Sequence, residues 1–361
     1  MIQRILTVPA ELLQRQMSLV LEAWGMPKED AAVTADVLTH ADLMGIDSHG
    51  ITLLPLYDEL IHSGRLEPKA QTRIERSFGA TAVINGGGGL GQVPSVRAMD
   101  LAMEKARAFG IGAVGVRDSN HYGAAGFYAL RAAQAGLIGL STSAVYKASI
   151  VPIFGREPRL GTNPLAFAAP GRRNKPFLLD MATSTIAIGK LKLAAREGKS
   201  LREGWALDRD GRPQHDPERA LVDRLMTPLG GSRAMGGHKG YGLAAMVEVL
   251  STLLSGASFA PLRDPQADRF DVGHFHMAIH PDVFREAGEF ADDLDRFIDC
   301  LHATSPADAD QPVLVPGDPE HGTFERRSRE GIPVPASMVQ SVADIARKCG
   351  AEFLLSSELE E

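Results

Sequence analysis

The chain has 361 residues, 44% of them apolar and 23% charged, with a formal net charge of −7. That length and composition suffice for one large core or two smaller ones. The acidic balance excludes the basic face a nucleic-acid partner needs, and Lys and Arg form no run beyond short doublets such as Arg172-Arg173.

The first residues, "MIQRILTVPAELL", contain too short an apolar run for a signal peptide. No window reaches the roughly 18 apolar residues that a membrane span needs. The stretch "PAELLQRQMSLVLEAWG" puts Leu13, Met17, Val20, Leu21 and Trp24 on one stripe, which predicts a helix ending at Gly25. A second helix, "PKEDAAVTADVLTHADLMG", runs from Pro27 to Gly45. "DSHG" follows, so Asp47, Ser48 and His49 fall on a loop or helix start. From about residue 80 strands and helices alternate. "ATAVIN", "GIGAVGV", "GLIGLSTSAV", "LAFAAP", "PFLLDMA" and "FDVGHFHMAI" read as strands, and "VPSVRAMDLAMEKARAFG" as an amphipathic helix. This alternation predicts an α/β domain with a helix-covered sheet. "SLREGWALDRDGRPQHDPERA" is polar, carries an Asp-Gly turn and predicts a surface excursion. "GYGLAAMVEVLSTLLSG" is apolar almost all round and predicts a buried helix. A Pro- and Asp-rich stretch, 303–318, leads to a final helix, "PASMVQSVADIARKCG". Cys300 and Cys349 fit neither a disulfide framework nor a CxxC pair, which leads us to expect a reduced, cytoplasmic setting.

Gly86, Gly88 and Gly91 spell G-x-G-x-x-G between a predicted strand and a predicted helix, the layout of a dinucleotide-binding turn. Two details weigh against it. Gln92 and Val93 follow the last glycine, and Pro94 best fits the first helical turn, so the helix begins late. The nearest acidic residue after the next strand is Asp118, 32 positions beyond Gly86, where about 20 is expected. The other reading is a glycine-rich turn where backbones pass closely.

Four further groups could carry chemistry. His49 could exchange a proton near neutral pH, with Ser48 or Asp47 orienting its ring; the competing reading is a capped, solvated turn. "GIDSHG" is not the G-x-S-x-G of a hydrolase elbow. His121 follows a predicted strand and precedes small residues, where an α/β protein places ligands; an ordinary capped loop would look the same. His238 and Lys239 sit among glycines at a helix start, which suits an anion or a solvated helix entry. His274, His276 and His280 lie in "HFHMAIH", and the first two share a strand face as in some metal sites. With no acidic or Cys partner close by, packed or surface histidines are the simpler reading, and we expect no metal.

Seven segments occur in a family's order: "DSHG", "SNHYGAAGFYA", "FGREPRLGTNPLAFAAP", "LDMATS", "GHKGYGLA", "GHFHMAI" and "VPGDPE…RRSREGIPV". From about residue 10 to 350 the chain resembles the malate/L-lactate dehydrogenase family. This non-Rossmann group also holds ureidoglycolate and sulfolactate dehydrogenases, diketogulonate reductases and cyclic imino acid reductases. The resemblance implies NAD or NADP bound on an α/β fold that lacks a glycine-rich Rossmann turn. It implies that Ser48 and His49 are a relay pair with His49 as acid/base, and that His121 serves both the catalytic site and the cofactor loop continued by Gly123, Ala124 and Ala125. Asp180, Met181 and Ala182 match a cofactor-contacting turn, and Thr183 and Ser184 lie beside the substrate. Thr162 matches a substrate contact. His238, Lys239, Pro316, Gly317 and Asp318 match cofactor contacts, although the family more often has Glu at the last of these positions.

Two positions depart from the pattern. The family's S-H-G-x-x-R supplies an Arg for the substrate carboxylate, and this chain has Leu53 there. Lys147 is the candidate replacement. Lys190 stands where imino acid reductases place a relay Asp, which favours a C–O substrate over C=N. The expected fold is α/β with a mixed, non-Rossmann sheet: a helical domain, 1–75, completed by 320–361, and an NAD(P)-binding domain, 76–319. The expected function is hydride transfer between nicotinamide and a 2-hydroxy or 2-oxo acid in a cytoplasmic homodimer. The alternatives are cyclic imine reduction, a ureidoglycolate- or sulfolactate-type dehydrogenase, and a degenerate cofactor-binding protein.

Overall fold

Short β-rich runs separated by amphipathic stretches resolve into one mixed sheet with helices on both faces. The structure is a computed structural model that describes residues 4–264 and 266–355; residues 1–3 and 356–361, at the edges of the expected helical unit, lie outside the described residues. In chain order the elements are β1 (Ile5–Val8), α1 (Ala10–Ala23), α2 (Lys28–Leu43), α3 (Leu54–His62), β2 (Arg73–Phe78), β3 (Thr81–Asn85), α4 (Gln92–Phe109) and β4 (Ile111–Arg117). They continue with α5 (Gly126–Gln134), β5 (Ile138–Ser143), β6 (Leu165–Ala169), β7 (Phe177–Met181), α6 (Ile188–Glu197), α7 (Pro217–Asp223) and α8 (Gly237–Glu248). The last are β8 (His274–Ile279), α9 (Glu289–His302), α10 (Asp318–Glu330), β9 (Ile332–Pro335) and α11 (Ala336–Cys349).

Among the described residues, seven strands pair in the order β2-β3-β4-β8-β5-β6-β7. Only β3 and β4 run parallel; every other neighbouring pair is antiparallel. A Rossmann domain needs a largely parallel, doubly wound sheet, so the fold is non-Rossmann. β1 and β9 form a separate antiparallel pair that joins the two ends of the chain. Strand β2 escaped the sequence reading because it is an exposed edge with Arg73, Glu75 and Arg76 in place of apolar alternation. Such charge keeps an edge from pairing with another molecule.

The stripe on α1 is realised: Leu13, Met17, Val20 and Leu21 are fully buried, and Trp24 packs at the margin. They meet Leu54 and Tyr57 of α3 and Val339, Val342 and Ile345 of α11 in one core. Helix α2 serves two cores. Ala31, Ala35 and Leu38 face this one, while Val37 and the capping Met44 face the core beneath the sheet. The C-terminus of α2 therefore emerges at the junction between them.

The glycine run belongs to that junction. The N–H groups of Gly86, Gly88 and Gly91 donate to the carbonyls of Arg117, Asp118 and His121, and Gly87 donates to the Asn85 side chain. These glycine N–H groups are thus committed within the protein. A Cβ on Gly91 would overlap the Asn120 carbonyl and lie 2.7 Å from Tyr122 Cβ. These glycines let one turn press against the loop that carries His121.

Two expectations change. The 240–256 helix was predicted buried. Instead Tyr241, Met246, Val249, Leu253 and Leu254 are exposed, while Glu248, Ser251, Thr252 and Ser255 are buried. The face toward the sheet is polar because it bonds to polar partners: Ser251 Oγ lies 2.8 Å from Thr142 Oγ1 of β5, and Thr252 donates to Glu248. The polar 200–220 stretch is not only a surface excursion. Leu201, Ala206 and Ala220 join Ile150, Leu191 and Met226 in a third, smaller core.

Gly91→Ala should lower stability by about 1–3 kcal/mol in urea unfolding, the usual cost of overpacking. Gly189→Ala, where a Cβ meets nothing within 4 Å inside α6, should be neutral or stabilising. Equal effects at both positions would refute the steric role given to Gly91.

Candidate active site

The turn after α2 carries Asp47, Ser48 and His49 as one 3-10 turn. Three contacts hold it. Asp42 Oδ2 accepts the Ile51 N–H at 2.8 Å. Arg327 of α10, itself buried, donates to the Asp42 carbonyl and pairs with the Asp47 carboxylate. Gly50 is required here, because a Cβ would overlap the Asp42 carboxyl. Burial raises the Asp42 pKa to about 7; the Ile51 hydrogen bond lowers it, Asp47 raises it, and Arg327 lowers it. A cation at the carbonyl end of α2 also complements the helix dipole.

On this support Ser48 Oγ lies 2.8 Å from His49 Nδ1. The His49 ring stacks on His121, centroid to centroid 5.6 Å, with 28° between planes. His121 is fixed from behind. Its Nδ1 accepts the Gly123 N–H at 3.3 Å and lies 3.1 Å from Tyr57 Oη. Gln92 Nε2 donates to that same phenol oxygen at 2.8 Å, so the phenol proton is free for His121. With Nδ1 an acceptor, the neutral ring carries its proton on Nε2. Burial, reinforced by His49 and His274, lowers the His121 pKa to about 3. Burial also lowers that of His49. Two neighbouring imidazoles, both held toward the neutral form by burial, thus differ in bonding: one is a fixed N–H donor, the other is paired to a hydroxyl.

His49, His121, Tyr122, Gly123, Ala144 and Thr162 line a slot of about 70 Å³. It opens into a second cavity of about 240 Å³, which shares His121 and Thr162 and adds Lys147. Sequence reading missed Tyr57 and Gln92. The sequence puts Gln92 ahead of a late-starting helix, whereas α4 begins at Gln92 itself with Gly91 as its N-cap; Tyr57 looks like an ordinary helix residue, and only the fold turns both toward His121.

The structure gives the other expected residues distinct places. Thr162 lines both cavities. Thr183 and Ser184 are buried, with hydroxyls committed to the carbonyls of Thr162, Asn163 and Ile186. Thr183 supports Thr162, and neither residue lines a cavity. Asn163 adds a second brace, donating to Glu248 at 2.8 Å. Asp180 accepts the Gly126 N–H at the start of α5 at 2.7 Å, next to Gly123, Ala124 and Ala125, and burial raises its pKa to about 6. The Pro316 carbonyl accepts the Leu178 N–H, so Pro316, Gly317 and Asp318 lie beside β7, which carries Asp180 and Met181 and leads into Ala182. His238 and Lys239 are exposed on the first turn of α8, outside the slot, with Arg233 donating to His238 at 2.8 Å. Leu53 is buried in the helical core and lines neither cavity. Lys190 is likewise outside both.

His274 and His276 are fully buried. His274 lies between Ser119 at 3.0 Å and Ser143 at 2.8 Å, and it stacks on Tyr122 at 4.6 Å. They are packed strand histidines beneath the slot. Among the described residues no group of three or more His, Cys, Asp or Glu is placed to hold a metal.

The chain matches the family described as malate/L-lactate dehydrogenase over residues 8–343. It is 39% identical over 354 residues to a malate dehydrogenase of Pyrococcus horikoshii, with 98% of each chain covered. It is 40% identical over 332 residues to an L-sulfolactate dehydrogenase of Methanothermobacter thermautotrophicus, covering 91% of this chain and 93% of that one. The solved malate dehydrogenase of Entamoeba histolytica superimposes with a TM-score of 0.91 at 33% identity, over 97% of this chain and 99% of that one. The chain belongs to the malate/L-lactate dehydrogenase family and is an oxidoreductase of the hydroxy-acid dehydrogenase kind.

Proposed function

We propose that the protein exchanges hydride between a nicotinamide cofactor, NAD or NADP, and carbon 2 of a 2-hydroxy or 2-oxo acid. The observation that carries this reading is the pair of differently fixed histidines on one slot. The slot suits a flat ring: Gly123, Ala144 and Pro164 offer small or flat surfaces beside His121. The residues to hold the rest of the cofactor are Gly123, Ala124, Ala125, Asp180, Met181, Ala182, His238, Lys239, Pro316, Gly317 and Asp318. When bound, the nicotinamide supplies the redox chemistry.

The protein supplies position and protons. His121 donates its Nε2–H to the substrate oxygen and polarises the C–O bond. In oxidation His49, giving its Nδ1–H to Ser48, accepts the hydroxyl proton at Nε2. In reduction the protonated ring returns it. Thr162 and Lys147 contact the substrate, and Thr183 fixes Thr162 in place.

His49→Ala should reduce kcat by roughly 10²–10⁴-fold, while a thermal shift with NAD or NADP persists. Wild-type turnover in this variant would refute the role. Because burial lowers the His49 pKa, its neutral form extends below the ordinary value near ~6.5. The kcat/KM for oxidation should therefore fall only as pH drops through a value under ~6.5, and that for reduction should fall as pH rises through it. Tyr57→Phe, by removing one hydrogen bond to His121, should cost about tenfold in kcat with far-UV circular dichroism unchanged.

We also propose a homodimer in the cytoplasm. The exposed apolar face of Tyr241, Met246, Val249, Leu253 and Leu254 supports the dimer, since a monomer gains nothing by exposing it. Free Cys300 and Cys349 support a reducing compartment. Among the described residues no helix is long and apolar enough to cross a membrane. Light scattering should give about twice the 38.7 kDa chain mass, and Leu253→Arg should shift it toward the monomer.

A further inference from the structure

Thr162 lines both cavities, and the residue after it is held there at a cost. Asn163 is fully buried and has a φ of 34°. Residues other than glycine are uncommon in that left-handed region. A residue before a proline, here Pro164, ordinarily takes extended backbone. Asn163 Oδ1 is also buried with no hydrogen-bond partner among the described residues, which costs stability. The side chain facing it is a carboxylate, Glu248, only 7% exposed, and burying such a charge is costly too. Strain and unmatched polarity of this kind cluster at functional sites.

Helix α8 supplies the restraint. Asn163 Nδ2 donates to the Ala244 carbonyl at 2.9 Å and to Glu248 Oε2 at 2.8 Å. Glu248 Oε1 accepts the Thr252 hydroxyl at 2.7 Å. Both oxygens of the carboxylate are thus used. Directly after Glu248 the chain widens into a π-helix, Val249–Leu254, a rare form found often at functional sites. Glu248, Ser251 and Thr252 are all buried there. From the other side Thr183 donates to the carbonyls of Thr162 and Asn163. Gly161 keeps the segment tight, since a Cβ there would overlap Val145, which lines both cavities. The segment whose Thr162 and Pro164 line the slot is therefore clamped between Thr183 and the α8 carboxylate.

We propose that Glu248 is a positioning residue: through Asn163 it sets Thr162, and with it the seat of the 2-oxo or 2-hydroxy acid beside His121. The inference rests on the dehydrogenase reading above. Glu248 lines neither cavity, so its influence on the substrate passes through the Asn163 amide.

The test is a double-mutant cycle of Asn163→Gly and Glu248→Ala, assayed with oxaloacetate and pyruvate and either reduced nicotinamide cofactor. Glycine suits position 163 because it accepts the left-handed backbone. Each single variant should raise KM for the 2-oxo acid roughly tenfold with kcat little changed, the loss of one substrate contact. The double variant should do no worse than either single one, because both remove the same bond. Glu248→Gln should recover most of the loss: its amide oxygen still accepts from Asn163, and the Thr252 hydroxyl can turn to accept from the amide. A merely structural part in α8 would lower the melting temperature and leave KM alone. A wild-type KM in Glu248→Ala, or additive effects in the double variant, overturns the proposal. If Glu248→Ala does not fold, Asn163→Gly carries the same KM prediction alone. A second readout needs no turnover. Amide hydrogen exchange in the peptide from Gly161 to Leu165 should be faster in Glu248→Ala than in the wild type or Glu248→Gln, and equal protection refutes the clamp. If the wild type turns over no 2-oxo acid, the dehydrogenase reading falls, and the exchange rates alone decide whether Glu248 holds Thr162.

Discussion

The site depends on a buried guanidinium. Arg327 sits on α10, late in the chain, yet it holds a turn near the start of the chain. It satisfies the Asp42 carbonyl of α2 and the Asp47 carboxylate together. A buried charge without its partner is costly, about 3–5 kcal/mol when one member of a pair is removed. The ion pair therefore does more than add stability. It forbids alternative placements of Asp47, and with them alternative placements of Ser48 and His49.

The glycine run meets the same need from the other side. His121 must approach His49 closely enough for their rings to stack, so its loop must press into the β3–α4 turn. Side chains there would hold the two backbones apart. The N–H groups of Gly86, Gly87, Gly88 and Gly91 are also bonded within the protein. What looks like a nucleotide-binding pattern is a packing device, and its product is the position of one imidazole. Behind that imidazole, Tyr57 and Gln92 form a short hydrogen-bonded chain that selects the ring's tautomer. Burial then keeps both rings uncharged, so their difference in role comes from hydrogen-bond direction alone.

Much of this was legible in the sequence. The stripe on α1, the two glycine-capped helices and the strand–helix alternation follow from periodicity. The order of short polar motifs carried the family, and with it His49 and His121. Three features were not legible, each for a physical reason. Edge strand β2 lacks the apolar alternation that marks a strand. The 240–256 helix buries its serines and threonines because polar groups on β5 receive them, and no single segment reveals its partner. Tyr57 and Gln92 are invisible for the same reason, since helix residues show their face only once packed.

The pairing of β1 with β9, and of Asp47 with Arg327, spans nearly the whole chain. On the ribosome the sheet strands β3 to β7 emerge and can collapse while α10 is still unmade. The turn bearing His49 then has neither its guanidinium nor the strand that ties down β1. Non-local closure of this kind is slow because loop entropy is spent before the contact forms. The geometry of the proposed site is thus among the last features to set, and a nascent chain passes through an interval in which most of the sheet exists before His49 is held in place.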